Sequence, residues 1–249
     1  MSHTDASGQT APSAATAPRA GVLSRAIGVV VAPGETFGHV ARDPRPVGML
    51  LLTAVVSAVA TGLFFSSEAG RMAWLDAAIS QQESFGQTVP DAQYAVLERF
   101  SELLIYIVPL YSLVLGPIVW LIVAGILKAA FAVVAGGEAT FKQALDVVAT
   151  SGVIVMLRTL FVLPINYLQE SMRGVTNFSA FVPMLPEGSF VVRFLGMIDL
   201  FAVWWVAVLA IGLAVLYRRP ARSIAITLYA FYGVIALGIS LVLTWAGGS

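Results

Sequence analysis

Cysteine is missing altogether from the 249 residues, which excludes disulfides, thiolate metal centres and cysteine nucleophiles. Histidine is nearly absent: His3 and His39 are the only two, and neither has a second ligand at metal spacing. Charge is scarce as well. Only 11% of residues are charged, where soluble domains carry about 25%. The 14 basic and 14 acidic side chains cancel to a net charge of +0, so a nucleic-acid partner, which needs a basic stripe or patch, is not expected. Also missing are Gly-x-Ser-x-Gly, His-Glu-x-x-His, paired aspartates in an apolar run and a glycine loop able to cradle phosphate. No long apolar run contains a histidine to act as a base. The sequence therefore predicts neither enzyme activity nor a bound cofactor or metal.

What it has in abundance is apolar surface. Hydrophobic residues make up 58% of the chain and the mean hydropathy is +0.87. A soluble globule this poor in charge lacks the polar groups to cover itself, and lipid is the solvent that such a chain fits. Residues 1–20, rich in Ala, Ser, Thr and Pro, read as a disordered tail. Residues 21–46 read as an interfacial amphipathic segment. Its apolar run Ala26–Ala32 is cut at Pro33-Gly34, which is short for a cleaved signal, and a charged stretch follows. Residues 47–246 read as the membrane domain, with spans at about 47–65, 103–134, 147–167, 194–217 and 224–245. The second of these is too long for one bilayer crossing: at about 1.5 Å per residue it runs about 48 Å against a hydrocarbon core of about 30 Å. Two spans do not fit in it, so one helix projects beyond the membrane, with Pro109 and Pro117 as candidate kinks. The fold class is thus all-α, a polytopic bundle of five transmembrane helices with an N-terminal interfacial amphipathic helix and an outer helical loop.

Arginine and lysine placement sets the orientation. Arg19, Arg25, Arg42, Arg45, Lys128, Lys142, Arg218, Arg219 and Arg222 fall on one side, and Arg71, Arg99, Arg173 and Arg193 on the other. Nine against four places the N-terminus in the cytoplasm and the C-terminus outside. The outer loop 66–102 shows two amphipathic stretches, Met72/Leu75/Ala78/Ile79 and Tyr94/Leu97/Phe100, separated by Pro90. They either cap the bundle or lie on the lipid surface.

Three segments carry more than hydropathy. Ala32-Pro33-Gly34-Glu35-Thr36-Phe37-Gly38-His39-Val40, followed by Asp43-Pro44, precedes the first span. It reads as a short surface helix laying Val29, Val30, Val31 and Phe37 on lipid with arginines toward headgroups, or as a plain linker. In Gly136-Gly137-Glu138-Ala139-Thr140-Phe141-Lys142-Gln143 the glycines end one span, and Thr140 with Gln143 forms a capping box that opens the next helix. Gly196-Met197-Ile198-Asp199-Leu200-Phe201-Ala202-Val203-Trp204, with Ile211-Gly212 further on, sets a carboxylate near the start of the fourth span.

Taken in order, these segments resemble the Yip family of five-span membrane proteins (Ypt-interacting proteins), its bacterial branch in particular, over roughly residues 20–246. The resemblance rests on Pro33, Thr36 and Phe37, on Thr140 and Phe141 after the glycines, and on Asp199 followed by Trp204. It implies a membrane-embedded domain. For eukaryotic members it implies early secretory membranes and a cytoplasmic side linked to Rab-type small GTPases and vesicle transport. The tail here is short, without acidic or aromatic character, and the outer loop is extended; both depart from the GTPase-binding pattern and count against a small GTPase as partner. For bacterial members the resemblance implies no settled activity.

Among the remaining residues Arg158 stands out. Counted from Val147 it lies about 16 Å deep, near the bilayer middle, where a charge costs about 2.5–3.5 kcal/mol and needs a partner. Asp199 is the expected partner and Glu102 the alternative. The Arg158–Asp199 pair either fixes helix register or belongs to a binding or conduction path. Ala54, Ala58 and Gly62 form a small-residue stripe suited to close helix packing or dimerisation. Glu35 and His39 read as a solvated pair. Tyr106, Tyr217 and Trp245 read as interfacial anchors, and Trp204-Trp205 as packing. Two functions follow: a scaffold or membrane-organising, trafficking-like protein acting through lipids, protein partners or its own copies, or a small transporter or channel built on Arg158 and Asp199. The Ala/Val/Gly-heavy composition points to a bacterial inner membrane.

Overall fold

The computed structural model describes residues 21–135, 139–172, 174–186 and 188–246. The tail 1–20 and the glycine turn at 136–138 lie outside them. The described residues form ten α-helices: α1 Val22–Val31, α2 Pro33–Arg42, α3 Pro46–Ser66, α4 Glu68–Glu83, α5 Asp91–Ala135, α6 Phe141–Ser151, α7 Val153–Gln169, α8 Phe190–Met197, α9 Leu200–Tyr217 and α10 Ala221–Ala246, with a 3-10 turn at Phe178–Phe181. Five segments are long and apolar enough to cross a membrane: α3, α5, α6 and α7 taken together, α9 and α10. The order and number match the five spans read from the sequence.

Local chemistry explains where the helices begin and end. Pro33 and Pro46 occupy first-turn positions of α2 and α3, where a missing N–H costs nothing. The Ser67 hydroxyl accepts from the Gly70 amide at the start of α4. Thr140 and Gln143 form the anticipated capping box of α6. Left-handed residues, Glu170 (φ 48°) and Arg218 (φ 53°), end α7 and α9.

The chain runs up and down between two ends. The near end carries α1, α2 and the starts of α3, α6 and α10; the far end carries α4, α8 and the start of α9. Half of the most apolar stretch of the α6–α7 span is buried, against 6% and 11% of those of α5 and α10, so α6–α7 is the central span and α5 and α10 the outermost. The core is concentrated toward the near end, around Val29, Phe37, Met49, Val147, Ile154 and Leu213, all almost fully enclosed. A smaller cluster of Phe64, Phe65, Ala73 and Leu104 seats α4 on the far end. The outer loop therefore caps the bundle. As expected, the second span is one helix that runs on past the membrane, but α5 has 45 residues, is about 67 Å long and starts at Asp91, just after Pro90, instead of at 103, so the Tyr94/Leu97/Phe100 stretch of the outer loop belongs to it. Its first ten residues are exposed except Leu97.

Other expectations also need correction. The third span starts at Phe141, not Val147, and breaks at Gly152 into α6 and α7. The fourth starts at Leu200, because Phe194–Met197 belong to the separate helix α8. Val31 is exposed, but Val29 and Phe37 are at 0% exposure, turned into the protein instead of onto lipid. Tyr217 is no interfacial anchor: it is buried, with its ring stacked on Phe131 at 5.1 Å. By contrast Tyr106 and Trp245 are 71% and 86% exposed.

Candidate functional site

Two polar constellations stand out, one at each end. At the near end, Phe37 inserts between α6 and α9. The site exists because of Gly212: a Cβ there would lie 2.6 Å from a Val147 methyl and 3.0 Å from the Phe37 ring. Pro33 starts the helix, and the Thr36 hydroxyl donates to the Ala32 carbonyl (3.0 Å) across the α1–α2 corner. Thr36 also presses on Gly28, where a Cβ would stand 2.5 Å from its oxygen. The Pro-x-x-Thr-Phe segment is thus a docking element that folds α1 against α2 and plugs the pair into the bundle.

A buried ion pair fastens the same element. The Arg25 Nη2 donates to Asp146 Oδ1 at 2.5 Å and to the Thr150 hydroxyl at 3.0 Å. The other carboxylate oxygen accepts from the Arg45 amide at 2.5 Å, and Arg25 Nη1 reaches the Arg45 carbonyl at 3.3 Å. Asp146 is fully enclosed. Removed from water, such a charge persists only when paired and hydrogen-bonded on both oxygens. Gln143 adds a bond from Nε2 to the Ala41 carbonyl, 2.8 Å. Sequence reasoning missed this cluster, since starting the third span at Val147 left Asp146 in a loop and Arg25 among the headgroups. The signal was available: the Thr140 cap places Asp146 in the second turn of a helix.

At the far end the expected Arg158–Asp199 pair is formed, Nε to Oδ2 at 2.9 Å. Asp199 has other duties. Its Oδ1 accepts from the Phe201 and Ala202 amides (2.8 and 3.2 Å), capping α9, and Oδ2 accepts from the Thr176 hydroxyl at 2.5 Å. Phe178 N–H to Ile198 carbonyl and Leu200 N–H to Thr176 carbonyl, both 2.9 Å, tie the preceding loop to the same corner. Burial pushes the Asp199 carboxyl up, but the bonds from Thr176 and Arg158, the guanidinium charge and the Ala202 amide outweigh it and hold the group below its usual value. Glu102 is exposed and makes no ion pair among the described residues.

The depth of this pair differs from expectation. Measured from Phe141, Arg158 lies about 26 Å along α6–α7, and α9 itself is about 27 Å long. The pair therefore sits at the far boundary of the hydrocarbon, where a half-exposed guanidinium is cheap, rather than at its middle. The error came from starting the count six residues late.

A model of the Yip1 domain matches residues 27–244. The chain belongs to that family. No curated protein and no solved structure matches it. The match begins inside α1, so the docked N-terminal helices are part of the Yip1 domain, and it covers the Pro33–Phe37, Thr140-Phe141 and Asp199–Trp204 segments that carried the resemblance. Within the domain Trp205 donates to the Ser151 hydroxyl at 3.2 Å and packs on Trp120, while Trp204 lies against Phe201. The Trp204-Trp205 pair is helix packing. Ala54 and Ala58 are buried, and a Cβ on Gly62 would meet Pro109 of α5 at 3.3 Å, so the small-residue stripe serves contact between α3 and α5.

A groove of about 270 Å³ opens between α3, α5 and α7, with Thr53, Ser57, Ser112 and Thr159 on its walls and no charged residue. The Thr53, Ser112 and Thr159 hydroxyls donate to carbonyls of their own helices. Among the described residues no cluster of His, Asp or Glu is arranged to hold a metal ion.

Proposed function

We propose that this Yip1-domain protein is a membrane-organising scaffold that acts through protein or lipid contacts and catalyses nothing. We place it in a bacterial inner membrane, with the near end in the cytoplasm and the far end outside. One observation carries the reading: the two carboxylates drawn into side-chain ion pairs within the bundle, Asp146 and Asp199, are spent on structure. Asp146 holds α1 and the α2–α3 connection, and Asp199 caps α9 while holding Arg158 and Thr176. A transport path needs polar groups free to exchange partners with a substrate, and the Thr53, Ser112 and Thr159 hydroxyls of the groove are bonded to their own backbones. The alternative, a small transporter or channel using Arg158 and Asp199, has in its favour only their position at the membrane boundary.

The two readings separate in proteoliposomes. Asp199→Asn keeps a capping side chain and removes the charge. The scaffold reading expects the wild type to show no more ion or solute flux than empty vesicles. Flux above that background that disappears in Asp199→Asn would establish the transporter instead.

A further inference from the structure

A cavity of about 620 Å³ lies at the far end beneath α4, beside α8 and the last turns of α10. Its volume is within the range of small-molecule sites, about 300–1,000 Å³. Two opposite charges line it. Asp76, on α4, is exposed and has no partner among the described residues. Arg193, on α8, donates Nε to the Gly188 carbonyl (3.0 Å), Nη1 to Leu243 (2.5 Å) and Nη2 to Ser84 (2.9 Å), and stands 4.8 Å over the Phe85 ring. These acceptors are neutral, so among the described residues the cavity holds a fixed positive charge and, apart from it, a free negative one. The rest of the wall is mostly apolar, with Met172, Leu185, Met197 and Leu243 contributing. Met197 stands two residues before the Asp199 cap, so the cavity opens at the level where the hydrocarbon ends.

We propose that this cavity binds the headgroup of one zwitterionic phospholipid bearing a primary ammonium, drawn from the adjoining leaflet. The ammonium donates to Asp76, the phosphate lies in the field of Arg193, and the glycerol end rests on the apolar wall. An anionic headgroup without an ammonium leaves Asp76 facing like charge, and a choline headgroup has no N–H to give it. The proposal goes beyond the scaffold reading and stands without it.

Native mass spectrometry of the full chain, purified in detergent and supplied with equal phosphatidylethanolamine, phosphatidylcholine and phosphatidylglycerol, tests it. Phosphatidylethanolamine is expected to be retained about fivefold over the other two, the effect of one exposed charge contact worth about 1 kcal/mol. Asp76→Asn should level the three lipids, and Asp76→Glu should keep the preference, both at an unchanged unfolding temperature. Equal retention by the wild type, or an undiminished preference in Asp76→Asn, would overturn the site. Displacement of the lipid by free phosphoethanolamine at matching concentration would overturn the lipid as its source.

Discussion

At Gly212 one hydrogen stands where any other residue would put a carbon into Val147 and the Phe37 ring. Gly212→Ala must therefore push Phe37 outward, and overpacking of this kind costs about 1–3 kcal/mol. Phe37→Ala, which empties the same site, costs about 3–5 kcal/mol. Because both act on one contact, the two changes together should cost clearly less than their sum; thermal unfolding in detergent that returned plain additivity would separate them. The Arg25–Asp146 pair makes a sharper case. Asp146→Ala leaves the Arg25 guanidinium buried without its anion, a loss of about 3–5 kcal/mol. Replacing both by apolar residues of similar size, Arg25→Met with Asp146→Leu, should recover most of it. A double variant as unstable as Asp146→Ala would mean that the pair is more than a fastening for α1.

The same logic extends to elements through Arg158 and Asp199, which join α7 to α9 and to the loop before it. Asp199→Ala removes a helix cap and a counter-charge at once, whereas Asp199→Asn keeps the cap and should retain about 0.5–2 kcal/mol of what Asp199→Ala loses. Asp199→Ala and Arg158→Ala should couple by about 0.5–3 kcal/mol in a double-mutant cycle; zero coupling would show that the 2.9 Å contact carries no energy. Since the folded-state carboxyl is held below its ordinary value, its contribution is complete above the unfolded aspartate value of about 3.9 and is lost as pH falls through the lower folded one. The stability gap between wild type and Asp199→Asn should thus hold at neutral pH and close only in acid. How far the elements were legible follows from what each depends on. Helices α3, α5 and α10 are set by apolar length, and the Thr140 cap and the Pro90 boundary by local chemistry, so the sequence showed them. The break at Gly152, the detachment of α8 and the inward turn of Val29 and Phe37 depend on what lies opposite: Trp120 beside Gly152, the Thr176 loop against Leu200, Gly212 facing Phe37. A linear reading does not contain those neighbours. Arg158 with Asp199 was legible because few charges compete for partners; Arg25 with Asp146 was not, because Asp146 fell outside a span boundary drawn six residues too late and Arg25 was read as facing headgroups.

For the molecule as a whole, the asymmetry between its ends decides how it sits in the membrane. The near end gathers Arg42, Arg45, Lys142, Arg218, Arg219 and Arg222 beside the docked α1–α2 pair, and the far end presents Glu68, Asp76, Glu83, Asp91, Glu98 and Glu102 on the cap and on the projecting part of α5. Basic residues close to span ends resist translocation, whereas acids have little influence, so the near end should remain in the cytoplasm. Projection supplies a second handle. With α5 about 67 Å long and the hydrocarbon about 30 Å thick, its first turns stand clear of the bilayer, and Val96 there is 65% exposed. The chain has no cysteine of its own, so single replacements report cleanly. A cysteine at Val96 should react in intact cells with a thiol reagent that cannot cross the membrane, and one at Ala221 should react only after permeabilisation. The reverse pattern would invert the molecule and put the headgroup cavity on the cytoplasmic leaflet. Labelling at both positions in intact cells would mean that the nine-to-four imbalance of basic residues does not fix a single orientation, as expected if the chain inserts both ways and pairs in opposite senses.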